Sequence, residues 1–206
     1  EKTFVDQDVS AAVVCCLERG PLEYKGLCMI LSLRKHWGDW NNIPIYAYSP
    51  RAEHRISDWL RLILDQYNVI LIEEPINSDY LEYPLANKPL SMAHAERNLH
   101  EDLLVFLDSD ILCWKEPELL CLQEGKDLGM VPDDTKTVAS SGPHDTKYES
   151  MWKRLYEIAG VQGTEPFVTT LLTDEIVRGW WSSGVIVCRR SANLMDQWLE
   201  IGRAHV

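Results

Sequence analysis

Apolar positions along this chain change period several times. An unbroken apolar run from Ala11 to Leu17 reads as a strand covered on both faces, and Arg19-Gly20-Pro21 breaks it. Leu22, Gly26, Met29, Leu33 and Trp37 then recur at steps of three to four, which predicts an amphipathic helix over Leu22 to Trp37, ended by Gly38. The run Ile43 to Tyr48 reads as a second strand closing at Ser49-Pro50. Ile56, Trp59, Leu60, Ile63, Leu64 and Tyr67 mark a second helix. Val69 to Ile72 is a third strand. A polar loop through Pro84 leads to a helix from about Pro89 to Leu99, followed by the apolar strand Leu103 to Leu107.

Strand and helix alternate through this half, so the fold class is α/β. A mostly parallel, Rossmann-like sheet with helices on both faces is expected, in a single domain, with ligands at the carboxyl ends of the strands. The second half is looser. Leu128 to Val131 reads as a strand, Thr135 to Lys147 as polar loop, Trp152 to Ile158 as a helix, Val185 to Cys188 as a short strand, and Leu194, Trp198 and Leu199 as one face of a last helix.

Composition narrows the classes. With 20 Lys+Arg against 32 Asp+Glu the formal net charge is −12, and no basic run is present, so nucleic acid and anionic membrane surfaces are excluded as main partners. No apolar run approaches the ~20 residues of a membrane span, so no transmembrane segment is expected. The cysteines (Cys15, Cys16, Cys28, Cys113, Cys121, Cys188) lack metal-ligand spacing and mostly sit in apolar segments. They read as buried reduced thiols, hence a cytoplasmic location.

The sharpest chemistry lies in Leu107-Asp108-Ser109-Asp110, just past the fourth strand. On an extended chain Asp108 and Asp110 project to one side and form a hard oxygen pair, which suits Mg²⁺ or Mn²⁺ completed by water and phosphates. Such a cation would also reconcile an acidic protein with a nucleotide diphosphate, by bridging carboxylates to phosphates.

With this motif the chain resembles the glycosyltransferases of the GT-A fold, the nucleotide-diphospho-sugar transferases, most nearly the family 8-like group, over about Val9 to Glu200. A second matching segment is Trp181-Ser182-Ser183-Gly184-Val185-Ile186-Val187, similar to the family's aromatic-Asn-x-Gly-Val segment with Ser182 in place of Asn. The resemblance implies a nucleotide-diphosphate-sugar donor, a UDP-sugar foremost, and an acceptor of unknown kind. It places Leu17, Glu18 and Arg19 at the nucleobase and ribose, Lys88 of Ala86-Asn87-Lys88-Pro89 near the diphosphate, and Ser109, Ser183 and Gly184 beside Asp108 among the donor contacts. It further implies a third metal ligand, a His, beyond Glu200.

Acids on the acceptor side are Asp133-Asp134 and Asp174-Glu175; Asp174 or Glu175 is the candidate general base if the reaction inverts the anomeric centre. Two other readings compete with glycosyl transfer. One is a phosphohydrolase of the haloacid dehalogenase type, whose Asp-x-Asp normally ends the first strand of its domain rather than the fourth. The other is a non-catalytic GT-A-like nucleotide-binding module. The domain is expected to be incomplete, ending near Glu200, because Ile201 to Val206 is what a common sequencing adapter encodes in one frame. That expectation removes His205 as a metal ligand.

Overall fold

The computed structural model describes residues 9–117, 122–162 and 166–203. The chain gathers into two compact units, Glu1–Gly129 with Gly184–Leu199, and Met130–Ser183 with Glu200–Val206. In the first, strands β1 (Ala11–Cys16), β2 (Ile45–Tyr48), β3 (Val69–Ile72) and β4 (Leu103–Leu107) alternate with helices α1 (Pro21–His36), α2 (Asp58–Gln66) and α3 (Asn87–Asn98). Strands β5 (Leu128–Pro132), β6 (Phe167–Thr169), β7 (Ile176–Arg178) and β8 (Trp181–Arg189) follow, with α4 (Glu149–Ala159) ahead of β6 and α5 (Leu194–Arg203) last. The main sheet has the order β3-β2-β1-β4-β8-β5. Pairs β1/β2, β2/β3 and β1/β4 are parallel and β4/β8 is antiparallel. The expected mostly parallel α/β sheet is therefore present.

The apolar run of β1 is buried on both faces, as its continuity requires. Val13, Cys15 and Leu17 pack with Met29, Ile30 and Leu33 of α1, Leu60 and Leu64 of α2, and Val105 and Leu107 of β4. The alternate residues Ala12 and Val14 are equally buried on the opposite face, and α3 packs against this strand. Gly26 lets α1 approach closely, since a Cβ there would lie 2.1 Å from Leu17 Cδ2. At the start of α1, Gly20 adopts φ 105°, and the buried Glu23 carboxylate accepts from the N–H groups of Gly20 (2.9 Å) and Ser57 (2.6 Å). One acid thereby fixes the starts of both α1 and α2.

The second unit is built on a buried ion pair. Arg178 on β7 donates to Glu149 on α4 (2.8 and 3.3 Å), and the Ser140 hydroxyl donates to the same carboxylate (2.8 Å). Burial pushes the Glu149 carboxyl up, but the bonds from Arg178 and Ser140 outweigh it and hold the group below its ordinary value. Trp152, Val177 and Ala139 form the apolar centre beside it.

Several expectations are corrected. The hairpin β6/β7 carries no sequence period, because its strands have only three residues each. β8 begins at Trp181 rather than Val185, and α3 begins at Asn87, which puts Lys88 in its first turn. Cys28 is exposed on α1, whereas Cys15, Cys113 and Cys188 are buried and Cys16 partly so; all five thiols are free, and Cys121 lies outside the described residues. Residues 204–206, His205 among them, also lie outside. No helix among the described residues is long and apolar enough to cross a membrane.

Candidate functional site

In a parallel sheet the loops after β1, β2, β3 and β4 leave one edge, and a single polar network ties them together here. Glu18, two residues past β1, is 3% exposed. It receives the Arg51 guanidinium in bidentate fashion (2.6 and 2.5 Å) and the Asn87 side-chain amide (2.9 Å). Arg51, past β2, also donates to the Leu81 carbonyl (2.5 Å). Asn77, past β3, donates to the Asn87 side-chain oxygen (2.7 Å). The Asn87 carbonyl accepts the Cys16 thiol at 3.6 Å, and the same thiol meets the Ser91 hydroxyl at 3.3 Å. Burial pushes the Cys16 thiol up to about 12; Ser91 and Lys88 oppose the rise, while the nearby charges of Glu18 and Asp108 add to it. Every buried charge in this cluster thus has a hydrogen-bonded counterpart, the condition under which buried polar networks stiffen a structure.

Lys88 stands beside Asn87, and its ammonium donates to Asp108 Oδ2 at 2.7 Å. Asp110 pairs with Lys25 of α1 at 3.4 Å. The two carboxylates do not lie on an extended strand. β4 ends at Leu107, and the Ile111 N–H donates to the Asp108 carbonyl (3.1 Å), so Asp108 to Ile111 form a turn with the Ser109 side chain buried inside it. The same-side argument from strand alternation therefore fails, and it is the turn that presents the two acids. Backbone pairing fixes its base: the Asp108 N–H donates to the Gly184 carbonyl (2.9 Å), continuing the antiparallel ladder of Leu107 and Val185. The two motifs singled out in the sequence are thus joined at Asp108 and Gly184.

Other site candidates take different places. The Leu17 side chain is wholly core, and its N–H is given to the Tyr48 carbonyl; Arg19 is exposed, with its N–H on the His54 carbonyl. Ser183 is a β8 residue in the second unit. Asp174 and Glu175 lie in the turn of the β6/β7 hairpin, where Asp174 has φ 53° and the Glu175 carboxylate accepts the Thr173 hydroxyl (2.7 Å). Their present work is turn formation. Sequence reading missed Lys25, Arg51, Asn77 and Asn87. None of the four carried a sequence signal; for Arg51 it is the parallel register of β1 against β2, with Cys16 beside Tyr48, that brings the base to Glu18.

The donor set has the chemistry of a divalent cation site: two carboxylates beyond a buried strand, each with an ammonium cation already drawn to it. Among the described residues no group of three or more His, Cys, Asp or Glu comes together, so these two acids would leave the other positions to water and phosphate. The model of one family, the Rhodobacterales glycosyltransferase domain, matches residues 13–204. The chain belongs to that family.

No curated protein matches this glycosyltransferase domain by sequence. Among solved structures, the apo form of mouse xyloside xylosyltransferase 1 superposes with a TM-score of 0.52 at 13% identity, covering 94% of this chain and 73% of that one. An active-site mutant of LgtC gives 0.50 at 14% identity, covering 91% and 59%. Apo GlyE of Streptococcus pneumoniae TIGR4 gives 0.48 at 14% identity, covering 95% and 39%. The domain therefore spans less than two thirds of the length of GlyE and LgtC. At such identities the likeness to the xylosyltransferase and LgtC establishes a shared fold alone, that of GT-A glycosyltransferases.

Proposed function

We propose that the domain moves a sugar from a nucleotide-diphosphate-sugar donor, a UDP-sugar foremost, to an acceptor, with Mn²⁺ or Mg²⁺ held by Asp108 and Asp110. The observation that carries this reading is the turn after β4, which sets two carboxylates at the ligand edge of the sheet and has a cation paired to each. When bound, the divalent ion neutralises charge on the departing diphosphate. The chain's own residues supply the rest. Lys88 offers a point charge to a phosphate. The β1 loop offers the exposed Arg19 side chain and backbone carbonyls to the nucleoside. Glu18, with both oxygens committed to Arg51 and Asn87, holds that loop in place instead of reading the base. Gly184 positions Asp108 through its carbonyl.

The test is a panel of nucleotide-diphosphate sugars incubated with the natural full-length protein and Mn²⁺, followed by assay of released nucleoside diphosphate. Release from at least one donor, lost in EDTA and in Asp108→Asn, is expected. Release that persists in EDTA, or none from any donor, would overturn the reading.

A further inference from the structure

Lys88 does not merely stand near the acid pair; its ammonium sits on one of the two oxygen donors. Its contact with Asp108 is 2.7 Å, between side chains only 18% and 27% exposed. The Lys25 pair with Asp110 is longer, 3.4 Å, and its side chains are 51% and 58% exposed, so water and salt screen it far more. The backbone at Lys88 is also fixed. Its neighbour Asn87 is held by Glu18 and Asn77 through its side chain and by Cys16 through its carbonyl, which leaves the flexible lysine stem as the part able to move.

The geometry points to Lys88 as an exchangeable counter-ion. It neutralises Asp108 in the unliganded domain and passes to the diphosphate when a divalent cation takes Asp108, so metal and nucleoside diphosphate bind with positive coupling through this side chain. The inference rests on the metal and donor reading above and adds a direction to it. A dication held by Asp108 would share one carboxylate with the ammonium on Oδ2, and the repulsion between the two cations weakens the hold of Asp108 on Lys88. Without an anion, Lys88 is driven from its carboxylate into a site that has just gained positive charge. With a diphosphate present it exchanges one anionic oxygen for another. Linkage makes the effect reciprocal: each ligand raises the affinity of the other by the same factor, and couplings of this kind are typically about 5–150-fold.

The consequence is a pair of effects of opposite sign from one substitution. Lys88→Met keeps most of the aliphatic stem and removes the charge. Mn²⁺ binding, read from the free-ion electron paramagnetic resonance signal, should be about tenfold tighter in Lys88→Met than in the parent when no nucleotide is present. The factor by which UDP, GDP or CDP then improves Mn²⁺ binding should be about tenfold smaller in Lys88→Met. Lys88→Gln should behave alike, which guards against one variant folding poorly, and thermal melts confirm that both are folded. Lys25→Met, removing the screened pair, should change Mn²⁺ affinity by less than about twofold. Unchanged or weaker Mn²⁺ binding in both Lys88 variants, with diphosphate coupling intact in the parent, overturns the exchange and leaves the donor reading standing. Tighter Mn²⁺ binding with no response of any protein to any nucleoside diphosphate overturns the donor reading, and the coupling with it.

Discussion

Replacing Arg51 with Leu tests whether the network at the sheet edge is a structural brace. The change removes both N–H donors that Arg51 gives Glu18 and the one it gives the Leu81 carbonyl. It leaves a carboxylate that is 3% exposed with the Asn87 amide as its remaining described partner. Breaking a buried pair from one side costs about 3–5 kcal/mol, because the surviving charge keeps its desolvation penalty. Domains of this length lose about 2–4 °C of Tm per kcal/mol, so the expected fall is roughly 6–20 °C. Urea denaturation followed by tryptophan fluorescence should show the loss as a lower midpoint at unchanged slope. Glu18→Leu alone should cost a similar amount, by stranding the guanidinium. The double variant should be at least about 1.5 kcal/mol more stable than the sum of the singles predicts, since neither charge is then left alone. Additive losses, or an Arg51→Leu cost below about 1 kcal/mol, would show that water reaches the pair and that it braces nothing.

Three further outcomes follow from the packing and the titrations. Gly26→Ala forces Leu17 off its rotamer and should destabilise the domain by about 1–3 kcal/mol in chemical denaturation, despite alanine's better helix propensity; a stabilised variant would show that Leu17 yields freely. Glu149, whose folded-state pKa is depressed, contributes stability that is present above its ordinary value of 4.5 and is lost as pH falls through the lower folded value. Glu149→Gln should therefore lower Tm at pH 7 and flatten the acid limb below pH 4.5, and parallel acid limbs in the two proteins would contradict this. With an aromatic disulfide reagent at pH 8 the exposed Cys28 should label rapidly, one fast equivalent vanishing in Cys28→Ser, while Cys16, pushed up to about 12, stays unreactive until the protein unfolds.

Strands β1 to β4 were legible in the sequence within two residues at each end, because each is a continuous apolar run followed by a break, though only β1 and β4 lie deep in the sheet and Ile70 of the edge strand β3 is exposed. Strands β6 and β7 stay hidden because three residues each are too few to display a period, although Val177 and Arg178 are buried. Asp108 and Asp110 were singled out in the sequence with the wrong geometry, since the strand ends one residue before the first acid and a turn takes over. The partners of Glu18 were invisible for a different reason. Arg51 and Asn87 lie 33 and 69 residues away, and only the parallel register of β1 against β2, with α3 packed on β1, brings them to the same carboxylate. Lys88 was singled out in the sequence, but its contact with Asp108 was not, because the helix starts two residues earlier than Pro89 indicates.

Nucleotide diphosphate binding through a divalent cation at Asp108 and Asp110 is the step on which the proposed function stands. Its most direct test is calorimetric titration of UDP, GDP and CDP into the full-length protein, first with Mn²⁺ and then with EDTA, repeated with Asp110→Ala. One nucleotide should bind with Mn²⁺, EDTA should abolish this binding, and Asp110→Ala should lose it while melting cooperatively like the parent. Equal nucleotide affinity with Mn²⁺ and with EDTA would contradict it.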